Sequence, residues 1–263
     1  MASLAAILQF WRSRNPAFFW APDSPSNLLR DQAGGIVGKR VGPKAVGIGG
    51  LVNPRGNSSD SWIEFPTNVG LAADSPFIGM MAVSITNPLK VTGAFLKIGN
   101  TSNGLGFGGG ASTFDDVGDR NVILLEQRAW ATNSNANCFV QGLNIMSFGF
   151  TSQGSVTFIN HVSGADRSGV SSYYAPSANL YINGYTTSRG TNAKVHAVAI
   201  YNKSLTDANY ITERNALARP TTSVWRAPRE AVDRGMASAM LVKWALAARR
   251  RNSLALLLSR RYR

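Results

Sequence analysis

From about Asp31 to Ala199, short runs of β-branched, aromatic and aliphatic residues alternate with clusters of Gly, Asn, Pro and Ser. Eight runs have the length and enrichment of strands: Ser61–Phe65, Met80–Ile85, Ala94–Ile98, Val122–Leu125, Ile145–Phe150, Val156–Ile159, Ala178–Ile182 and Val195–Tyr201. Several alternate with period two. Trp62 and Glu64 are set against Ile63 and Phe65, and Val195, Ala197 and Ala199 against His196, Val198 and Ile200, so these strands have two different faces. No ten-residue helical pattern separates them. The spacing predicts an all-β, two-sheet antiparallel sandwich and excludes a parallel α/β layer.

Helical periodicity is confined to the ends. The first twenty residues, MASLAAILQFWRSRNPAFFW, carry an apolar stretch followed by Arg12, Arg14 and Asn15-Pro16. A secretory signal has its basic residues before the apolar run, so this charge order argues against one. An acid-free amphipathic start also fits a mitochondrial presequence; the reading adopted is an anchor, residues 1–30, that docks on a neighbouring chain.

Composition narrows the class. With 44% hydrophobic and 10% aromatic residues in 263, the chain can bury a sizeable core, which excludes global disorder. Only 16% of residues are charged while Gly numbers 26 and Pro 11, a balance unlike a helical bundle. The single cysteine, Cys138, and two histidines, His161 and His196, rule out an internal disulfide and a Cys/His zinc site. No apolar run approaches the roughly 20 residues of a membrane-spanning helix.

The net charge is +13, unevenly placed. From Arg219 onward eleven basic residues face two acidic ones, a net +9, leaving +4 for everything before. Three regions follow: the anchor 1–30, a sandwich 31–218 and a basic tail 219–263.

The stretch Val195 to Ile211, VHAVAIYNKSLTDANYI, resembles the closing strand and short helix of laminin-G-like, concanavalin A-like jelly rolls. Trp62-Ile63-Glu64-Phe65 is similar to an early strand of that fold, and SANLYING, Ser177 to Gly184, to the strand and turn before the closing hairpin. The resemblance implies a jelly roll over residues 31–218. In residue terms, Thr206 or Asp207 caps a helix of one or two turns, with Ile211 packed on the sandwich. With the following Ala-Arg-Pro…Trp-Arg-Ala-Pro-Arg segment, the chain looks most like jelly-roll proteins of tailed bacteriophage particles. That implies a virion location, other virion structural proteins as partners, and a homo-oligomer.

Catalytic chemistry finds little footing. The four glutamates, Glu64, Glu126, Glu213 and Glu230, are widely spaced, and the Glu-x-Asp-x-Glu pattern of concanavalin-like glycosidases is missing. No Gly-x-Ser-x-Gly elbow accompanies the histidines, so His161 and His196 read as hydrogen-bonding strand and loop residues, and the chain as a non-enzyme. Gly104 to Gly109 matches Gly-x-Gly-x-x-Gly literally but precedes a loop, not a helix, and predicts a tight hairpin or close backbone approach.

Two binding chemistries remain. Asp115, Asp116 and Asp119 offer oxygens for Ca2+, which laminin-G-like sandwiches hold near one rim, although the cluster also fits a solvated turn. Among the aromatics Trp130, Tyr173, Tyr174, Tyr181 and Tyr185, read as exposed, the pair Tyr173-Tyr174 lies in a Ser-rich loop and is the candidate glycan platform.

The tail carries the strongest pattern. Val232, Met236, Met240 and Trp244 recur at i+4 along one helical stripe, followed by Arg249-Arg250-Arg251. A lone helix of this kind needs a partner: anionic lipid with Trp244 at the interface, nucleic-acid phosphates contacted nonspecifically, or a groove in an assembly. The apolar stripe favours the groove. The expected function is a non-enzymatic structural component of a virus particle, with a carbohydrate-binding, lectin-like module as the alternative.

Overall fold

The structure, a computed structural model, describes residues 3–42, 46–50, 61–66, 71, 76–91, 93–99, 104–109, 123–127, 129–132, 138–151, 155–170, 179–184, 191, 193–202 and 207–218. The chain divides into two compact units, Met1–Arg219 and Pro220–Arg263, and every described residue belongs to the first.

A helix α1 (Leu4–Ser13) opens the chain and α2 (Asp207–Ala218) closes the first unit. Between them run β1 (Phe18–Trp20), β2 (Lys39–Val41), β3 (Trp62–Phe65), β4 (Phe77–Ile85), β5 (Gly93–Gly99), β6 (Gly104–Gly109), β7 (Ile123–Gln127), β8 (Ala129–Thr132), β9 (Gly142–Phe150), β10 (Ser155–Asn160), β11 (Asp166–Val170), β12 (Leu180–Ile182) and β13 (Lys194–Tyr201). They form two sheets, one of six strands in the order β1-β13-β4-β9-β10-β11 and one of seven in the order β2-β3-β12-β5-β6-β7-β8. The pairings are antiparallel. The expected all-β two-sheet sandwich is the observed architecture.

Each predicted strand run has its counterpart. The additional strands are instructive. β2 is a charged three-residue edge, Lys-Arg-Val, and β11 is Asp-Arg-Ser-Gly-Val; neither shows a hydrophobic run. β6 is the Gly-rich segment, and the expected close approach is what fills it: a Cβ on Gly108 would stand 2.1 Å from the Gly93 carbonyl oxygen.

Aromatic residues dominate the interior. Phe18 and Phe65 meet edge to face at 4.9 Å, Phe107 lies 4.9 Å from Phe148 and 5.6 Å from Phe158, and Phe95 packs on Phe139. These rings and the aliphatic residues of both inner faces make one buried cluster.

A second cluster lies on the outward face of the six-stranded sheet. Ile78, Met80 and Ala82 of β4, Ile145 of β9 and Ala197, Ala199 and Tyr201 of β13 are covered by Ile7 and Trp11 of α1 and Tyr210, Leu217 and Ala218 of α2. Ser3 caps α1, accepting from the Ala6 amide. Trp11 is fully buried; its indole N–H donates to the Leu217 carbonyl at 3.0 Å, and its own carbonyl accepts from the Tyr201 hydroxyl at 2.9 Å. The first helix thus satisfies a carbonyl of the last turn of the second. On α2, the Tyr210 hydroxyl lies 3.0 Å from Thr157 Oγ1, in room left by Gly149, where a Cβ would stand 2.2 Å from that hydroxyl.

Two expectations are corrected here. Residues 1–30, expected to anchor on a neighbouring chain, spend their apolar face on their own sandwich: β1 pairs with β13, Phe18 opposite Ile200, and α1 lies over the sheet beside it. The closing helix runs twelve residues, longer than one or two turns. Ile211 is 54% exposed and Tyr210 is the residue that packs.

Candidate functional site

Both histidines are hydrogen-bonded to serines, as expected of strand and loop residues. Ser84 Oγ of β4 lies 2.7 Å from His196 Nε2 of β13, and Ser147 Oγ of β9 lies 2.7 Å from His161 Nε2. The first pair has the outline of a nucleophile and base, but its electrostatics oppose that use. Burial and the neighbouring Lys194 hold the His196 imidazole below the ordinary histidine range, against an opposing hydrogen bond with the Gly49 backbone. General-base catalysis requires an imidazolium to form and be stabilised, and a lysine beside the ring does the reverse.

The outward face of the seven-stranded sheet has a different character. Its register sets Lys39, Glu64, Tyr181, Lys97, Gly106, Glu126 and Trp130 in one line across the strands. Alternation along each strand makes this possible: Ile63 and Phe65 turn inward while Trp62 and Glu64 take the other face. Lys39 Nζ sits 3.3 Å from Glu64 Oε2, Asn179 Nδ2 donates to Glu64 Oε1 at 2.6 Å, and Asn179 Nδ2 is 3.1 Å from the Tyr181 hydroxyl. Tyr181, read from the sequence as exposed, is only 6% exposed. Burial raises its phenol above the usual range and Glu64 adds to that, with Asn179 and Lys39 opposing.

Two buried polar groups at this end of the sheet have no hydrogen-bond partner among the described residues: the Trp62 indole N–H and both carboxamide atoms of Asn183. They flank the last pair of the register, Ile182 with Ile63: Trp62 is next on β3, and Asn183, in the left-handed region at φ 71°, follows β12. Orphaned buried groups of this kind are rare and carry a desolvation cost of about 1–3 kcal/mol each.

The acids do not form a glycosidase pair. Along the line, Glu64 and Glu126 are four strand spacings apart, about 19 Å. Retaining and inverting hydrolysis require carboxylates at about 5–5.5 Å and about 6.5–9.5 Å.

Asp115, Asp116 and Asp119, the Tyr173-Tyr174 pair, and the tail residues Val232, Met236, Met240, Trp244, Arg249, Arg250 and Arg251 lie outside the described residues. Among the described residues no group of three or more His, Cys, Asp or Glu side chains is placed to hold a metal ion, and no helix is long and apolar enough to cross a membrane. Lys39, Glu64, Asn179 and Asn183 were not singled out by the sequence. Glu64 and Asn179 are 115 positions apart, and only the strand register brings them together.

No family model and no curated protein matches the chain. Solved structures do. The binding domain of botulinum neurotoxin serotype D/C, VPI 5993, is similar at a TM-score of 0.50 and 12% identity, over 78% of this chain and 52% of that one. A Trypanosoma rangeli sialidase solved in complex with sialic acid is similar at 0.50 and 12% identity, over 76% of this chain and 32% of that one. A CBM2 module of the Dit protein of Lactobacillus casei BL23 phage J-1 is similar more loosely, at 0.45 and 9% identity, over 73% of this chain and 96% of that one. The first two establish the fold: the first unit of this chain is a jelly-roll sandwich. At these identities they establish nothing further.

Proposed function

We propose that the chain is a non-enzymatic structural component of a tailed-phage particle, its jelly-roll sandwich displayed and its basic tail docked into neighbouring subunits. The observation that supports the reading is where the chain divides. Among the described residues both sheets, α1, α2 and both apolar clusters lie at or before Ala218, and the second unit begins at Pro220. A stripe of Val232, Met236, Met240 and Trp244 beside Arg249-Arg250-Arg251 has the form of a helix-in-groove anchor. The test is density-gradient fractionation of the native source after nuclease and mild salt treatment, with the chain followed by mass spectrometry. Banding with intact particles in fixed stoichiometry is expected. A chain that stays in the soluble fractions as a monomer overturns the reading.

A second reading, a glycan-binding surface, is favoured by Trp62, partly exposed on the same face as Glu64; its indole N–H, like the Asn183 carboxamide, is buried without a partner among the described residues and meets a ligand only once uncovered. Saccharides bind proteins through such mixtures: an aromatic surface with planar donors and acceptors that match hydroxyl groups. Tyr173 and Tyr174 belong to the same proposal. Trp62→Phe removes the N–H and keeps the aromatic surface; on a panel of neutral oligosaccharides it should weaken binding about fivefold to tenfold. Equal binding by wild type and variant removes Trp62 from the site.

A further inference from the structure

The connection between β1 and β2 crosses from the edge of one sheet to the edge of the other, and it is knit around one carboxylate. Asp31, fully buried, accepts from the amides of Phe19 at 2.8 Å, Ala33 at 2.9 Å and Gly34 at 2.8 Å. Its charge is therefore spent within the loop. Around this hub lies a cleft of about 520 Å3 lined by Arg12, Asn27, Arg30, Asp31, Gln32 and the 33–35 backbone.

The charged donors left over in the cleft belong to Arg12 and Arg30. Arg12 spends only Nη2, on Asp23 Oδ2 at 3.0 Å and on Gln32 Oε1. Its guanidinium is fixed over the Phe19 ring, 5.1 Å from the centroid. The Gln32 amide nitrogen, in turn, is held by the Ala21 carbonyl. Asp23, the acid nearest the cleft, is doubly engaged, by Arg12 and by Asn27 Nδ2 at 2.9 Å. Burial pulls its carboxyl upward, but the hydrogen bonds from Asn27 and Arg12 outweigh that and leave it below the usual range. Arg30 pairs with no acid among the described residues, and its guanidinium stands over Gly35, where a Cβ would lie 3.7 Å from Nη2.

We infer that this cleft binds the carboxylate of an acidic saccharide, held by Arg30 and the remaining donors of Arg12. Two planar guanidinium forks, Arg12 at the end of α1 and Arg30 in the loop, suit a planar, bidentate acceptor, and Asn27 supplies an amide for a flanking hydroxyl. The saccharide part of this inference rests on the glycan-binding reading above; the carboxylate part does not.

The experiment is calorimetric titration of the full chain, in about 0.15 M salt, with a uronic-acid oligosaccharide, with its carboxyl-reduced neutral counterpart and with the free uronic acid. Wild type should prefer the acidic oligosaccharide about tenfold. Arg30→Gln should abolish the preference. Arg14→Gln, which removes the same single charge outside the cleft, should keep it, whereas a general attraction of the +13 chain for anions would fall equally in both variants. Equal binding of the acidic and neutral oligosaccharides overturns the cleft and leaves the glycan reading standing. Arg30-dependent binding of the free uronic acid with no oligosaccharide bound supports the cleft and overturns the glycan reading. A preference that survives Arg30→Gln, or no binding of any carboxylate, overturns the inference outright.

Discussion

The two sheets share an interior and part company on their outer sides. On the six-stranded sheet the outward positions are Ile78, Met80, Ala82, Ile145 and Ala199; on the seven-stranded sheet they include Lys39, Glu64 and Tyr181. An apolar outer face has to be covered, and the chain covers it with α1 and α2. The polar outer face pairs part of its groups across strands, as in Lys39–Glu64 and Asn179–Glu64, and leaves the Trp62 N–H without a partner among the described residues. The difference is one of covering: the helix-backed sheet buries an apolar outer face, whereas the seven-stranded sheet carries charged and polar side chains at the same level, Lys97 and Tyr181 among them largely buried.

Substitution should expose that division, most strongly on the helix-backed side. Trp11→Ala deletes a fully buried indole and its bond to Leu217; a loss of about 3–5 kcal/mol in urea unfolding is expected. A loss below about 1 kcal/mol would mean that α1 is an appendage and the comparison fails. Gly149→Ala should cost about 1–3 kcal/mol by pushing Tyr210 off the sheet. Combined with Tyr210→Ala, only part of that cost should be recovered, since the new Cβ also stands 2.3 Å from the Phe77 carbonyl oxygen, which the second substitution leaves in place.

Glu64→Gln on the polar sheet should cost about 1 kcal/mol or less, because its partner Lys39 is 64% exposed. If Glu64 proves as costly as Trp11, the polar face is structural too.

The smallest effect is a pH dependence. Burial and Lys194 depress the folded-state pKa of His196, so the fold favours the neutral ring. That contribution is complete above the unfolded value of about 6.5 and is lost as pH falls below it. Between about pH 7.5 and about pH 5, His196→Gln should lose less stability than wild type in matched denaturation curves.

The sandwich was legible because its central strands are long and apolar: β4 and β9 each carry nine residues with most positions buried. What escaped lies at edges and in glycines, where the sheet imposes extension on residues that do not prefer it: Lys39–Val41, the Gly-rich β6 and Asp166–Val170. Amphipathicity identified α1 but not what its stripe meets, since periodicity says that Ile7 and Trp11 share a face and nothing about which surface receives them. The same limit put Ile211 in place of its neighbour Tyr210. The cleft around Arg30 and the Trp62–Asn183 neighbourhood have no motif at all; one depends on a buried aspartate organising a loop, the other on a register between strands more than a hundred positions apart.

The indole–carbonyl bond between Trp11 and Leu217 joins positions 206 apart. On a ribosome the apolar face of α1 is not fully covered until β13 and α2, about two hundred positions later, have emerged. Once made, the joint changes how load is borne. Tension drawn through the chain beyond Arg219 enters at the end of α2, and Trp11 passes it to Tyr201 and the β1–β13 ladder. Rupture then requires shearing a buried side chain, not peeling an edge strand open one bond at a time.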